Sequence, residues 1–357
     1  MHLDAPATDL ADRYARYLRG KQVFLLGATA VLVALVFVSI AVGSVLIPID
    51  EVVATLLFGA GGDAATIIWQ IRLPRVLAAV VSGAGLAIAG AVMQSVLRNP
   101  LSSPYTLGVS HAAGFGAAIA ITLFGAGAIS AHIDDAVVVQ NPCMVTVCAF
   151  LASMAATAVL LLIARTRSSQ PEVMVLVGVA LAALFTAGTT FLQYFSSADQ
   201  VAAIVFWTFG DVGRAGWSDL AILVAVVLPC SAWFMLNRWN YNTLDAGDET
   251  ARSLGVRVEH VRLVGMLLAS LITAVVVSFL GIIGFIGLVS PHMVRRLIGD
   301  DQRFLIPGSC LVGGIVLLVS DTLARLVLAP VVLPVGILTA FFGAPLFLWL
   351  IVRGYRR

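Results

Sequence analysis

Two pairs of charged residues interrupt a 357-residue chain that is otherwise strongly apolar. Arg72 and Arg75 flank Leu73-Pro74 at the head of the apolar run Val76 to Leu97. Being three apart, they share a face wherever the backbone is helical. Asp321 and Arg325 lie four apart, late in another apolar run, and can pair along one helix face. Guanidinium forks grip carboxylates bidentately, so the chemistry on offer is carboxylate binding. The plainer alternative for these arginines is anchoring at the interface by snorkelling. An intramembrane carboxylate also invites a proton-relay role. The simpler role for Asp321 is to hold Arg325 toward the outer surface.

The remaining reactive inventory is thin. Cys143, Cys148, Cys230 and Cys310 have neither metal nor redox spacing, and the five histidines are scattered. No resident metal or cofactor is expected. The one lysine, Lys21, does not sit in the Gly-x-x-x-x-Gly-Lys-Ser/Thr loop that cradles nucleotide phosphates. Any ATP, with its Mg, must therefore be bound and hydrolysed by a partner. A net charge of +2 without a basic run gives no nucleic-acid reading. No clustered set of side chains suggests an enzyme.

The elements that position these residues follow from composition. The chain is 60% hydrophobic and 11% charged, against roughly 25% charged in ordinary soluble domains. With a mean hydropathy of +1.03, it reads as an all-α polytopic membrane protein. A polar lead-in, residues 1–21, precedes a membrane domain over 22–357. Ten spans are expected, near Gln22–Ile47, Val76–Leu97, Val109–Phe124, Cys143–Ala164, Val173–Phe195, Asp219–Leu236, Leu263–Phe279, a short one reaching Val294, Phe304–Val327 and Val335–Val352. A short extra helix is expected around Gln200–Phe209. With both termini cytoplasmic, only Arg72, Arg75, Arg214 and Arg325 among the 21 basic residues fall outside, which satisfies the positive-inside rule.

Two inner segments stand out. The elbow Arg98-Asn99-Pro100-Leu101 ends the second span, because the residue before a proline is pushed out of the helical region. The longest polar piece, 237–262, reads as two short helices broken at Gly247 and Gly255, with Asp248 capping the second and Glu249 favouring its first turn. Small residues recur every fourth position at Gly83, Ala87 and Ala91, and packing is a sufficient account of them.

Taken together, several stretches resemble the permease subunits of the iron-siderophore, haem and vitamin B12 ABC importers, the FecCD type. They are Ile68-Trp69-Gln70-Ile71-Arg72-Leu73-Pro74-Arg75, Gly90-Ala91-Val92-Met93-Gln94, Asn99-Pro100-Leu101 and Leu107-Gly108-Val109-Ser110. In the second half they are Ala251-Arg252-Ser253-Leu254-Gly255, Ile283-Gly284-Phe285-Ile286-Gly287, Ala324-Arg325-Leu326, Leu333-Pro334-Val335-Gly336 and Gly343-Ala344-Pro345. The resemblance runs in order from about residue 45 to the C-terminus. It implies the ten-helix fold of type II importers in the cell inner membrane, and dimerisation with a second permease copy around the pathway. It also implies two ATPase subunits inside and a periplasmic or lipid-anchored binding protein outside.

The resemblance further implies roles for residues. Arg72, Arg75 and Arg325 match positions that grip carboxylates of the binding protein. Asp248, Glu249, Ala251, Arg252, Leu254 and Gly255 lie in the loop that fits a cleft of the ATPase. Asn99 and Leu101 match a cytoplasmic gate in the vitamin B12 members, whereas Ser168-Ser169-Gln170-Pro171-Glu172 departs from the second gate there. The implied cargo is a metal chelate, iron(III)-siderophore first, with vitamin B12, haem or molybdate as alternatives. An ion-coupled secondary transporter is the rival of another class.

Overall fold

The computed structural model describes residues 7–43, 45–59, 62–126, 141–166, 171–329 and 331–354. Ser168, Ser169 and Gln170, singled out in the sequence, lie outside the described residues. The first element, α1, runs Ala7–Ala41. From Ala7 on, the polar lead-in is helical and continues without a break into the first span. Its residues are mostly good helix formers, and no proline interrupts them. α1 ends at Ala41, well before Pro48, and a backbone bond from Ile47 N to Ala41 O closes the turn.

Next come α2 (Ile49–Phe58), α3 (Asp63–Thr66), a wide π-turn over Ile67–Arg72, and α4 (Leu73–Val96). Pro74, one residue into α4, brings no N–H and crowds the carbonyl four residues earlier. The widened turn before it relieves that conflict. The chain continues through α5 (Val109–Leu123), α6 (Pro142–Thr166), α7 (Pro171–Phe195), α8 (Ala198–Thr208) and α9 (Trp217–Leu236). Two short helices, α10 (Arg238–Asp245) and α11 (Asp248–Ser253), lead to α12 (Val258–Leu280). The set closes with α13 (Ile286–Ile298), α14 (Gln302–Leu326) and α15 (Val335–Gly354).

Among the described residues, seven helices are long and apolar enough to cross a bilayer, and two shorter apolar ones lie at Val109–Leu123 and Val335–Leu350. The 13-residue α13 takes the place of the short eighth span and extends past Val294 to Ile298. α4 is the axis of the bundle, packed by α14, α12, α13 and α9. Its small residues allow that crowding. A Cβ on Gly83 would stand 2.3 Å from Gly313 O, and one on Gly90 would stand 1.8 Å from Gly287 O. Backbones this close gain dispersion contact that larger side chains would forbid. The four-residue repeat is thus a packing device.

Candidate functional site

At one end of α4, three arginines converge on two carboxylates and the end of α1. Arg72 closes the π-turn and is 5% exposed. Its Nη1 donates to Ile40 O at 2.5 Å and Ala41 O at 2.9 Å, and its Nη2 donates to Val45 O. Ile40 and Ala41 close α1, where carbonyls lose their partners within the helix, and Val45 lies in the turn beyond; a cation there also complements the helix dipole. Gly43 makes room, since a Cβ on it would meet Arg72 Nη2 at 2.9 Å. Arg72 is thus turned inward, and its guanidinium is occupied by this chain.

Arg75 reaches across the bundle. Its Nε donates to Asp321 Oδ1 at 3.0 Å and its Nη2 to the same oxygen at 2.8 Å; Asp211 Oδ1 lies 3.4 Å from Nη2. Asp321 is fully buried, whereas the Asp211 side chain is 34% exposed. Arg325 Nε stands 3.3 Å from Asp321 Oδ2, so the expected pairing along α14 is present. Asp321 nevertheless holds Arg75 more closely than Arg325. Arg325 also donates to Val42 O at 3.1 Å and to Ser39 Oγ at 2.7 Å, which makes it a second clasp on the end of α1. A buried carboxylate between two guanidiniums is stable only because each charge is matched and hydrogen-bonded.

The spacing of Arg72 and Arg75 did not reveal these partners. Asp321 lies 246 positions from Arg75, and nothing in the sequence joins them. Asp211 was missed outright; its carboxylate accepts from Gly213 N at 2.8 Å, an Asx turn before α9.

At the other end of α4, the 237–257 segment is braced at several points. Asp248 does not cap α11. Gly247 holds the N-cap position with φ 113°, and the Asp248 carboxylate accepts from Arg262 Nη2 at 3.0 Å, with Arg98 Nε 3.6 Å away. Charge pairing won over capping because Arg262, 2% exposed, would otherwise be a buried cation lacking its carboxylate. Arg262 Nε also donates to Val96 O at the end of α4. Ser95 Oγ donates to Asp245 Oδ1 at 2.7 Å, and Gln302 Nε2 donates to Asp245 Oδ2 at 2.8 Å. Asn242 Nδ2 donates to Asp301 at 3.2 Å. Helices α4, α12 and α14 therefore all grip this segment.

Within α11, Ala251 is fully buried while Glu249 and Arg252 are exposed; just after it, Leu254 is 65% exposed and Gly255 is exposed. Gly255 ends the helix at φ 81°, a conformation glycine adopts freely. In the elbow, Asn99 Oδ1 accepts from Leu101 N at 2.9 Å, so Asn99 acts as a turn former. Leu101 is 47% exposed. Beside the segment, Asp301 accepts from the side chain and backbone of Arg303 and from Asn242. Burial alone would raise its pKa, but these bonds outweigh it and hold the carboxyl below the usual range. No group of His, Cys, Asp and Glu among the described residues could hold a metal.

A bundle of helices this long and apolar, with Asp321 paired to Arg75 and Arg325 at one end and a braced polar segment at the other, defines a multi-pass membrane protein. Residues 31–353 match the FecCD transport family, and the chain belongs to it. A Methanocaldococcus jannaschii protein, provisionally named an ABC transporter permease, is 50% identical over 98% of this chain and 99% of its own length. The hemin transport system permease protein HmuU of Yersinia pestis is 39% identical over 82% of this chain and 85% of its own. A solved inward-facing structure of a provisionally assigned metal-chelate type ABC transporter matches with a TM-score of 0.79 and 32% identity. That match covers 92% of this chain and 98% of the solved one. Members are the membrane subunits of ABC importers, in which a separate subunit hydrolyses ATP and a binding protein delivers substrate.

Proposed function

We propose that this chain carries a bulky metal chelate, an iron(III)-siderophore, into the cytoplasm by alternating access. It works as a homodimer in the inner membrane with two ATPase subunits and a periplasmic or lipid-anchored binding protein. Both termini are cytoplasmic, as the charge bias requires. The observation that carries this reading is the α10–α11 segment, exposed along Glu249, Arg252 and Leu254 and tied behind to three membrane helices through Asp245 and Asp248. ATPase closure pressing on Leu254 moves a rigid body. Asp248 and Ala251 transmit that push from behind the contact. Asn99 and Leu101 form the inner closure, Leu101 meeting its counterpart in the second copy.

On the outer face, Arg75 offers its remaining edge to a binding-protein carboxylate, which would replace Asp211. Arg72 and Arg325 serve that docking by fixing the α1 end beside it. Asp321, engaged by both Arg75 and Arg325, is a structural counter-ion, which disfavours an ion-coupled transporter.

The test is uptake into proteoliposomes holding this chain and its neighbouring ATPase, with the binding protein outside and ATP inside or absent. Labelled ferric siderophore and labelled cobalamin are offered in parallel. ATP-dependent accumulation of the siderophore is expected. Accumulation of cobalamin alone would reassign the cargo, and uptake driven by an ion gradient without ATP would overturn the importer mechanism.

A further inference from the structure

Two helices of this bundle carry matching stripes to which none of the roles proposed above is assigned. On α6, Ala158, Leu161, Leu162 and Arg165 follow the i, i+3, i+4, i+7 spacing of one helix face. On α12, His260, Leu263, Val264 and Leu267 follow the same spacing. The helices run antiparallel and pack together, so the two stripes face one groove of about 420 Å³, lined by these eight residues. That is within the range of ligand-sized clefts, roughly 300–1,000 Å³. The antiparallel arrangement also brings both polar heads, Arg165 and His260, to the same end, where α6 stops and α12 begins. The walls are open: Leu162 is 63% exposed and Leu267 36%. The neighbouring carboxylate, Glu259, pairs aside with Arg252 at 3.9 Å.

We propose that this groove holds an anionic phospholipid of the leaflet on the coupling-loop side. An acyl chain lies along the leucine stripes, and the headgroup phosphate meets Arg165 and His260. The charge fits, because Arg165 is a permanent cation and an imidazole donates a hydrogen bond in either protonation state. The depth fits, because a cationic head above an apolar cleft at the end of a membrane helix mirrors a lipid's own division. The site lies at the start of α12, five residues beyond Gly255, so the lipid sits beside the segment that carries α11. Only the choice of leaflet rests on the importer orientation; labelling scored by residue reads the same if that orientation fails.

The experiment uses the full chain in lipid nanodiscs doped with phosphatidylglycerol or phosphatidylcholine bearing a photoactivatable diazirine in the acyl chain. Crosslinks are mapped by peptide mass spectrometry, and folding is checked by thermal melting. Labelling of 158–165 and 260–267 by phosphatidylglycerol should exceed that by phosphatidylcholine about fivefold, the worth of one surface cation toward anionic lipid. The preference should vanish in Arg165→Gln with His260→Gln. Ala158→Trp, which fills the groove, should suppress labelling by both lipids. Equal labelling by the two lipids in the unaltered chain, a preference that survives the double substitution, or indifference to Ala158→Trp would each overturn the site.

Discussion

Asp321 and Asp211 both face Arg75, but they differ in what their loss exposes. Asp321→Asn removes a fully buried anion between two guanidiniums. Breaking a buried pair from one side costs about 3–5 kcal/mol. Thermal unfolding in detergent should register that loss. Asp211→Asn, at a partly exposed 3.4 Å contact, should change stability by less than about 1 kcal/mol. Asp301 gives a pH signature. Its pKa is depressed in the folded state, so its contribution is present above the unfolded value, about 3.9, and is lost as pH falls through the lower folded value. Melting of Asp301→Asn should therefore trail the unaltered protein at pH 7, by about 1.5–3 kcal/mol, and converge with it in acid.

Among elements, α4 and α11 show how far the sequence could be read. The spans, the elbow and the two short helices of the inner loop follow from hydropathy, Asn99-Pro100 and the glycines, all of which act locally. The partners of Arg72, Arg75 and Asp248 depend on which helix ends meet in space, and no periodicity encodes that. The small-residue repeat in α4 was legible as packing, but its counterpart Gly313 was not, nor was the close approach of Gly90 to Gly287. Gly90→Ala should be severely destabilising, by more than about 2 kcal/mol, because backbone cannot yield to the added methyl. Gly20→Ala, with open space around it, is the control and should leave the melting temperature unchanged or slightly raised. At Gly255 the added ring of proline cannot adopt φ 81°. Gly255→Pro should uncouple ATP hydrolysis from uptake while leaving the bundle folded; intact transport would contradict the coupling role.

The whole molecule separates its charges to two ends and keeps the middle apolar. At the α1 end, docking through Arg75 predicts that association with the binding protein slows as salt rises, because steering between opposite charges is screened over roughly 10 Å at 0.1 M. Stopped-flow association from 50 to 500 mM salt, compared with Arg75→Lys, measures this. The lysine variant should bind more weakly, since it keeps the charge and loses the fork. A salt-independent rate would move docking elsewhere on the outer surface.

The clasps on α1 bear on how the protein is made. In its most apolar window this helix is only 11% buried; it packs on α14, and the backbone at its end is held by Arg72 and Arg325. The first clasp emerges from the ribosome about thirty residues after α1 is complete, and the second only when α14 has been synthesised. α1 is thus held once from close by in the chain, by Arg72, and a second time only when α14 supplies Arg325.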